Sequence, residues 1–278
     1  MWKKIFLGSF LGLLVVSFLG RADQVRATDP LSPAQEAALF SLGDLGPLDL
    51  APKRVTVEVF VSSQPELESF HLLFPQAWPA VQAFYAKMGV LLEMVKGQPA
   101  PGELVPGKRL RLEALSHGEW LDRTYQAFQV EPPFRSRFRM VCQDKYAFAH
   151  LHLSTVHVDF RHFEKDILGK RPREAKNNPE KLANLIIHEL GHLVGLYHAH
   201  EFVNDPIPEY LPDGKTPNFM SHYLTRPGGL GFVDFQKRLV HSFLSGGKLF
   251  QQYRQVDYDP LRHLELLKRY NNYQEPKS

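Results

Sequence analysis

Cysteine is almost absent: one residue, Cys142, in 278. A single thiol cannot close an intramolecular disulfide, so a small cysteine-stapled scaffold is excluded. With no cysteine near the N-terminus, a lipid-modified cysteine is excluded there too, and Cys142 reads as a small buried apolar residue. Strong net charge is also missing. The chain carries 33 Lys+Arg against 30 Asp+Glu, and residues 1–27 hold Lys3, Lys4, Arg21, Arg26 and Asp23, which leaves 29 of each beyond them. Nothing in that balance points to a nucleic-acid partner. There is no internal repeat and no long low-complexity tract. The apolar run Ile5 to Gly20 is short for a membrane span. Preceded by Lys3 and Lys4 and followed by Gly20-Arg21-Ala22 and Val25-Arg26-Ala27, it reads as a signal peptide over 1–27, with an uncleaved anchor as the alternative. The expectation is a secreted or otherwise extracytoplasmic protein without membrane contact, unless that segment stays attached. Oligomeric state is not legible.

What is present is concentrated in His188-Glu189-Leu190-Gly191-His192-Leu193-Val194-Gly195-Leu196-Tyr197-His198, which reads H-E-x-x-H-x-x-G-x-x-H. On a helix, His188 and His192 lie i,i+4 and project from one face, so both can ligate one metal ion. Gly195 can take a positive φ without steric cost, which lets the helix end and the chain turn back. His198 then returns as the third ligand, completing a His188, His192, His198 set for one catalytic Zn²⁺. Three protein ligands leave the fourth position open, as a catalytic zinc site requires. Glu189 stands beside the ligand pair, where a carboxylate can take the proton of a metal-activated water. His200-Glu201 follows closely, and Glu201 in place of His198 is a minor alternative.

The surroundings predict a helix. Asn178 suits an N-cap, Pro179 the first helical position, and Glu180 the positive end of the dipole. Leu182, Ile186, Leu190 and Leu193 recur at helical spacing, with Leu185 and Val194 widening the apolar stripe.

The extended motif resembles the signature of the metzincin zinc endopeptidases, which also place a methionine-containing turn beneath the metal. Pro217-Asn218-Phe219-Met220-Ser221-His222-Tyr223 is the candidate for that turn, with Asn218 as turn former and Met220 able to pack under three imidazoles. Where astacin-like and serralysin-like members carry a tyrosine two positions after the methionine, this chain has His222, and Tyr223 follows one later. The matrixin-like and astacin-like branches therefore both stay open. His222 and Tyr223 are auxiliary candidates, at the metal or lining the pocket. The resemblance also implies that substrate pairs with an edge strand over 147–151, through groups such as those of Ala149. A latency thiol capping the zinc would have to lie upstream of the domain, and Cys142 is too near the catalytic helix for that.

The rest of the chain fits one domain with additions. Residues 28–52 form an N-terminal arm, short propeptide or linker; 53–248 the catalytic domain; 249–278 a C-terminal helical extension. Strands are expected at 55–61, 91–95, 109–112, 146–151 and 155–160, and helices at 79–88, 119–128, 233–244 and 259–270. This alternation predicts an α+β fold, a twisted mixed sheet with packed helices. The metzincin resemblance adds a zinc cleft between a larger N-terminal and a smaller C-terminal subdomain. His157, alternating with Val156 and Val158, reads as an ordinary strand histidine. The function expected is a secreted zinc endopeptidase acting on protein or peptide substrates. A non-catalytic zinc-site binding protein and a zinc amidase acting on a cell-wall substrate remain as alternatives.

Overall fold

Alternation along β1 (Lys53–Val61) sets the sheet's two faces: Val55, Val57 and Val59 are buried on one, Glu58 and Phe60 turn to the other. The computed structural model describes residues 48–63, 65–96, 107–142, 145–169, 177–196, 198–199, 208–221 and 229–246. Within them, β1 is followed by α1 (Glu68–Lys87), β2 (Val90–Lys96), β3 (Arg109–Leu115), α2 (His117–Ala127), α3 (Arg135–Cys142), β4 (Ala147–His150) and β5 (Thr155–Asp159). Then come α4 (Phe160–Phe163), a π-helical turn (Glu164–Leu168), α5 (Asn178–Leu193) and α6 (Asp234–Leu244). The five strands form one mixed sheet in the order β2-β1-β3-β5-β4. Every neighbouring pair is parallel except β4 with β5. The mixed sheet with packed helices bears out the α+β reading.

One face of the sheet carries Val55, Val57, Leu110, Leu112, Val156 and Val158 into the main core beneath α1 and α5. The opposite face packs Leu115 and Phe148 against Trp120, Tyr125, Phe128 and Phe138 of the α2–α3 segment. Cys142 is buried in that second cluster, and burial pushes its thiol up to about 12, as expected for an inert apolar residue.

Three expectations need correction. The helix expected at 79–88 begins eleven residues earlier, at Glu68, and runs through Pro75 and Pro79. Each interior proline costs roughly 3 kcal/mol. However, Phe70, Phe74, Ala77 and Trp78 bury on one side, at about 1.5–3 kcal/mol per large side chain, while both prolines stay exposed. Second, α3 was not anticipated: its strongest apolar position, Phe138, is isolated among Arg135, Arg137 and Arg139. Third, Asn178 does not cap α5. Asn177 is the N-cap residue, without a side-chain bond, and Asn178 Oδ1 has no hydrogen-bond partner. A missing cap costs about 1 kcal/mol, less than the burial of any one of Leu182, Ile186, Leu190 and Leu193, all within 1% of fully buried. The segments assigned to signal peptide, arm before residue 48, and C-terminal helix 259–270 lie outside the described residues.

Candidate metal centre

α5 ends where glycine permits it. Gly195 sits at φ +94°; its N–H donates to His192 O at 3.1 Å, and Leu196 N–H donates to Gly191 O at 3.0 Å. These are the two bonds of a Schellman turn. A Cβ on Gly195 would lie 2.7 Å from the Phe243 ring, so both the backbone conformation and the close approach of α6 demand glycine. The turn also orients His192, because Leu196 O accepts a hydrogen bond from its Nδ1 at 2.8 Å.

His188 is held in the same manner from another part of the chain. Its Nδ1 donates to Phe219 O at 2.8 Å. A carbonyl oxygen can only accept, so in both rings Nδ1 carries a proton, and in the neutral ring Nε2 is left with the lone pair. The two Nε2 atoms stand 3.2 Å apart. Two lone pairs at that distance repel unless a cation lies between them. His198 completes the group: its ring centroid is 5.1 Å from that of His188 and 4.5 Å from that of His192. One nitrogen from each ring lies within 4.8 Å of the others, so the three histidines could hold a metal ion. Carbonyl partners on Nδ1 are the usual outer support of metal-ligating histidine.

Glu189, next to His188, is buried. Burial pushes its carboxyl up to about 8, with Lys145 pulling the other way. With Glu189 beside them, the ring nitrogens of the three histidines form a donor set suited to a cation. Beneath it, Tyr85 donates its hydroxyl to Ile187 O at 2.8 Å, tying α1 to α5. Burial, and secondarily the Glu189 charge, raises that phenol well above the ordinary value.

Met220 is fully buried below the helix. A Cβ on Gly191 would lie 2.5 Å from Met220 Sδ and 2.8 Å from the Phe219 ring, so the motif's inner glycine lets the methionine turn approach the backbone of α5. Ala199 N–H donates to Met220 O at 2.9 Å, joining the segment after His198 to the same turn. Asn218 acts as the turn former expected of it, its Oδ1 accepting from Met220 N–H at 3.0 Å. Motif reading missed Gly191, Tyr85 and Gln236. The last had a signal, a glutamine at the third position of a helix, where a side chain can reach back to the N-cap N–H. His222, Tyr223, His200 and Glu201 lie outside the described residues.

Ala149 lies in β4, the end strand of the sheet and a neighbour of α5. Asp159 N–H donates to Tyr146 O. From that bond and the register Ala147↔Val158 and Ala149↔Val156, antiparallel alternation turns the N–H and C=O of Ala147 and Ala149 away from β5, toward the outer edge. His157 is a buried strand histidine on the opposite sheet face, its Nε2 3.5 Å from the Glu113 carboxylate. Compared with known proteins, the chain matches no family model and no curated protein.

Proposed function

We propose that this protein is an exported zinc-dependent endopeptidase of the metzincin type. The observation that carries the reading is the convergence of three imidazoles, two of them held at Nδ1 by backbone carbonyls, with Glu189 alongside. Tetrahedral zinc with nitrogen ligands at about 2.0–2.1 Å sets those nitrogens roughly 3.3 Å apart, close to the 3.2 Å between the Nε2 atoms of His188 and His192. His188, His192 and His198 would hold the ion. When bound, zinc supplies Lewis acidity, lowering the pKa of a water and polarising the scissile carbonyl. Glu189 takes the proton of the attacking water on its carboxylate and delivers it to the leaving amine nitrogen. Ala147 and Ala149 offer outward N–H and C=O groups with which an extended peptide can pair as a further antiparallel strand. In this reading the sheet, α1 and α5 form the larger subdomain, and the Met220 turn with α6 the smaller one below the cleft. The N-terminal leader directs the protein out of the cytoplasm.

The test is Glu189→Gln, with zinc content and peptide hydrolysis measured on one preparation. Glu189 is a base and not a ligand, so the expected outcome is full zinc and a loss of hydrolysis of about 10²- to 10⁴-fold. Metal lost together with activity would make Glu189 a ligand. Casein and peptidoglycan, each with and without chelator, separate the endopeptidase from a cell-wall amidase and from a protein that binds zinc without cutting. Ala149→Pro tests the edge: it removes an outward donor without touching the β5 ladder. Zinc should stay while kcat/KM on a long peptide falls; an unchanged value would rule out pairing through that donor.

A further inference from the structure

Asn218 and Gln236 are both fully buried and face each other as a closed amide pair. Asn218 Nδ2 donates to Gln236 Oε1 at 2.8 Å, and Gln236 Nε2 donates to Asn218 Oδ1 at 2.9 Å. Backbone donors fix which way round the amides lie. Met220 N–H donates to Asn218 Oδ1 and Val233 N–H to Gln236 Oε1, each at 3.0 Å. Flipping either amide would bring two N–H donors together, so both orientations are determined. Val233 has no side-chain acceptor, so Gln236 supplies the reciprocal half of a capping box and, with its other end, grips the methionine turn.

The turn is held at three consecutive residues. Asn218 N–H donates to Glu209 O at 2.8 Å, Phe219 N–H to Gly231 O at 2.9 Å, and Met220 N–H to the Asn218 side chain. The Phe219 carbonyl, in the middle, accepts from His188 Nδ1. We infer that the Asn218–Gln236 amide pair is a positioning device for the metal centre, through which the first turn of α6 sets the Phe219 carbonyl and hence the tautomer and aim of His188. This rests on the reading of His188 as a metal ligand. The physical reason is stiffness: a pair with four good hydrogen bonds in a dry interior has one arrangement, and removing one member strands buried amide groups. Groups that orient a metal-ligating histidine typically carry about 10- to 100-fold in metal affinity.

The experiment compares Gln236→Met, which keeps shape and loses the amide, and Gln236→Glu, which keeps the acceptor for Val233 and loses the donor to Asn218. The reference is Val240→Ala, which loosens the same helix at a buried position but leaves the pair intact. Zinc affinity is measured by competition with a chromophoric chelator, and the His188 tautomer by nitrogen NMR on the metal-free protein. The expected result is a 10- to 100-fold weaker zinc affinity and a mixed His188 tautomer in both Gln236 variants. Val240→Ala should keep the wild-type tautomer at comparable loss of stability, and the swapped pair Asn218→Gln with Gln236→Asn should recover part of the affinity. If Gln236→Met does not fold, Gln236→Glu carries the comparison. Wild-type affinity and an unchanged Nδ1–H tautomer in the Gln236 variants would overturn the inference. If the wild type bound no zinc, the zinc reading would fall, while the tautomer comparison would still decide whether the pair aims His188.

Discussion

Two histidine clusters in this molecule invite the same reading and differ in one respect. In the first, His188 and His192 give their Nδ1 protons to the backbone carbonyls of Phe219 and Leu196, and their Nε2 atoms meet 3.2 Å apart. In the second, His117 and His162 flank the fully buried Asp159. His117 Nδ1 donates to its Oδ2 at 2.6 Å, and His162 Nδ1 stands 3.8 Å from the same oxygen. His162 Nε2 turns the other way, to Asp166 at 3.2 Å. The ring centroids of this pair are 6.2 Å apart, against 4.5 to 5.1 Å among the first three. Neutral carbonyl partners leave the Nε2 atoms of His188 and His192 facing each other, whereas in the second cluster Asp159 and Asp166 each engage one ring nitrogen, and Asp159 also accepts from the His162 backbone N–H, joining α2, β5 and α4. Among the described residues, only His188, His192 and His198 gather their ligand atoms.

The largest expected effect breaks the comparison outright. His192→Ala should take zinc content from about one per chain to none, because two remaining ligands hold the ion poorly. His117→Ala should leave it at one. Metal analysis of the two variants decides; zinc lost from His117→Ala would erase the distinction between the clusters.

Next in size is Gly191→Ala. The added carbon would lie 2.5 Å from Met220 Sδ and 2.8 Å from the Phe219 ring, both in fully buried side chains, so overpacking should cost about 3 kcal/mol and weaken zinc binding. Gly118→Ala in α2, where an added Cβ has nothing within 4 Å, should stabilise by about 0.5–1 kcal/mol. Chemical denaturation of both variants checks the pair.

Asp159→Asn sharpens the role of the second cluster. The amide cannot accept from His117 and from the His162 N–H as the carboxylate does. A loss of about 1–3 kcal/mol is expected, with zinc affinity unchanged; weakened zinc binding would couple the clusters.

Smallest is the exposed counterpart of Asp159. Asp213 accepts from the Thr216 hydroxyl and from the N–H groups of Lys215 and Thr216, which lowers its carboxyl from 3.8 to about 2. A carboxyl depressed on folding stabilises the protein above its unfolded value, and that contribution disappears as pH falls through the folded value. Stability should therefore decline between about pH 4 and pH 2, and Asp213→Asn should flatten that part of the profile. A pH-dependent melting curve unchanged by the substitution would contradict this.

Local chemistry made much of the site readable. The i,i+4 spacing of His188 and His192, the glycine at 195 and the adjacent Glu189 are all consequences of helix geometry and backbone sterics within eleven consecutive residues. Strand β1 was legible for a similar reason, since alternation along the chain reports its buried valine face. α1 was misjudged at its start because Pro79 is a strong local signal for a helix N-terminus, whereas Phe70 and Phe74 reveal their value only in the assembled core, where Phe70 packs on Phe160. The interactions that aim the histidines were not readable at all. His188 depends on a carbonyl thirty-one residues away, and that carbonyl's turn depends on Gln236, eighteen residues beyond Asn218. A sequence states which groups can donate or accept. Which donor meets which acceptor across the core is decided by the packing of α5, the methionine turn and α6, because only a closed, dry interior makes an unmet hydrogen bond costly enough to select one arrangement.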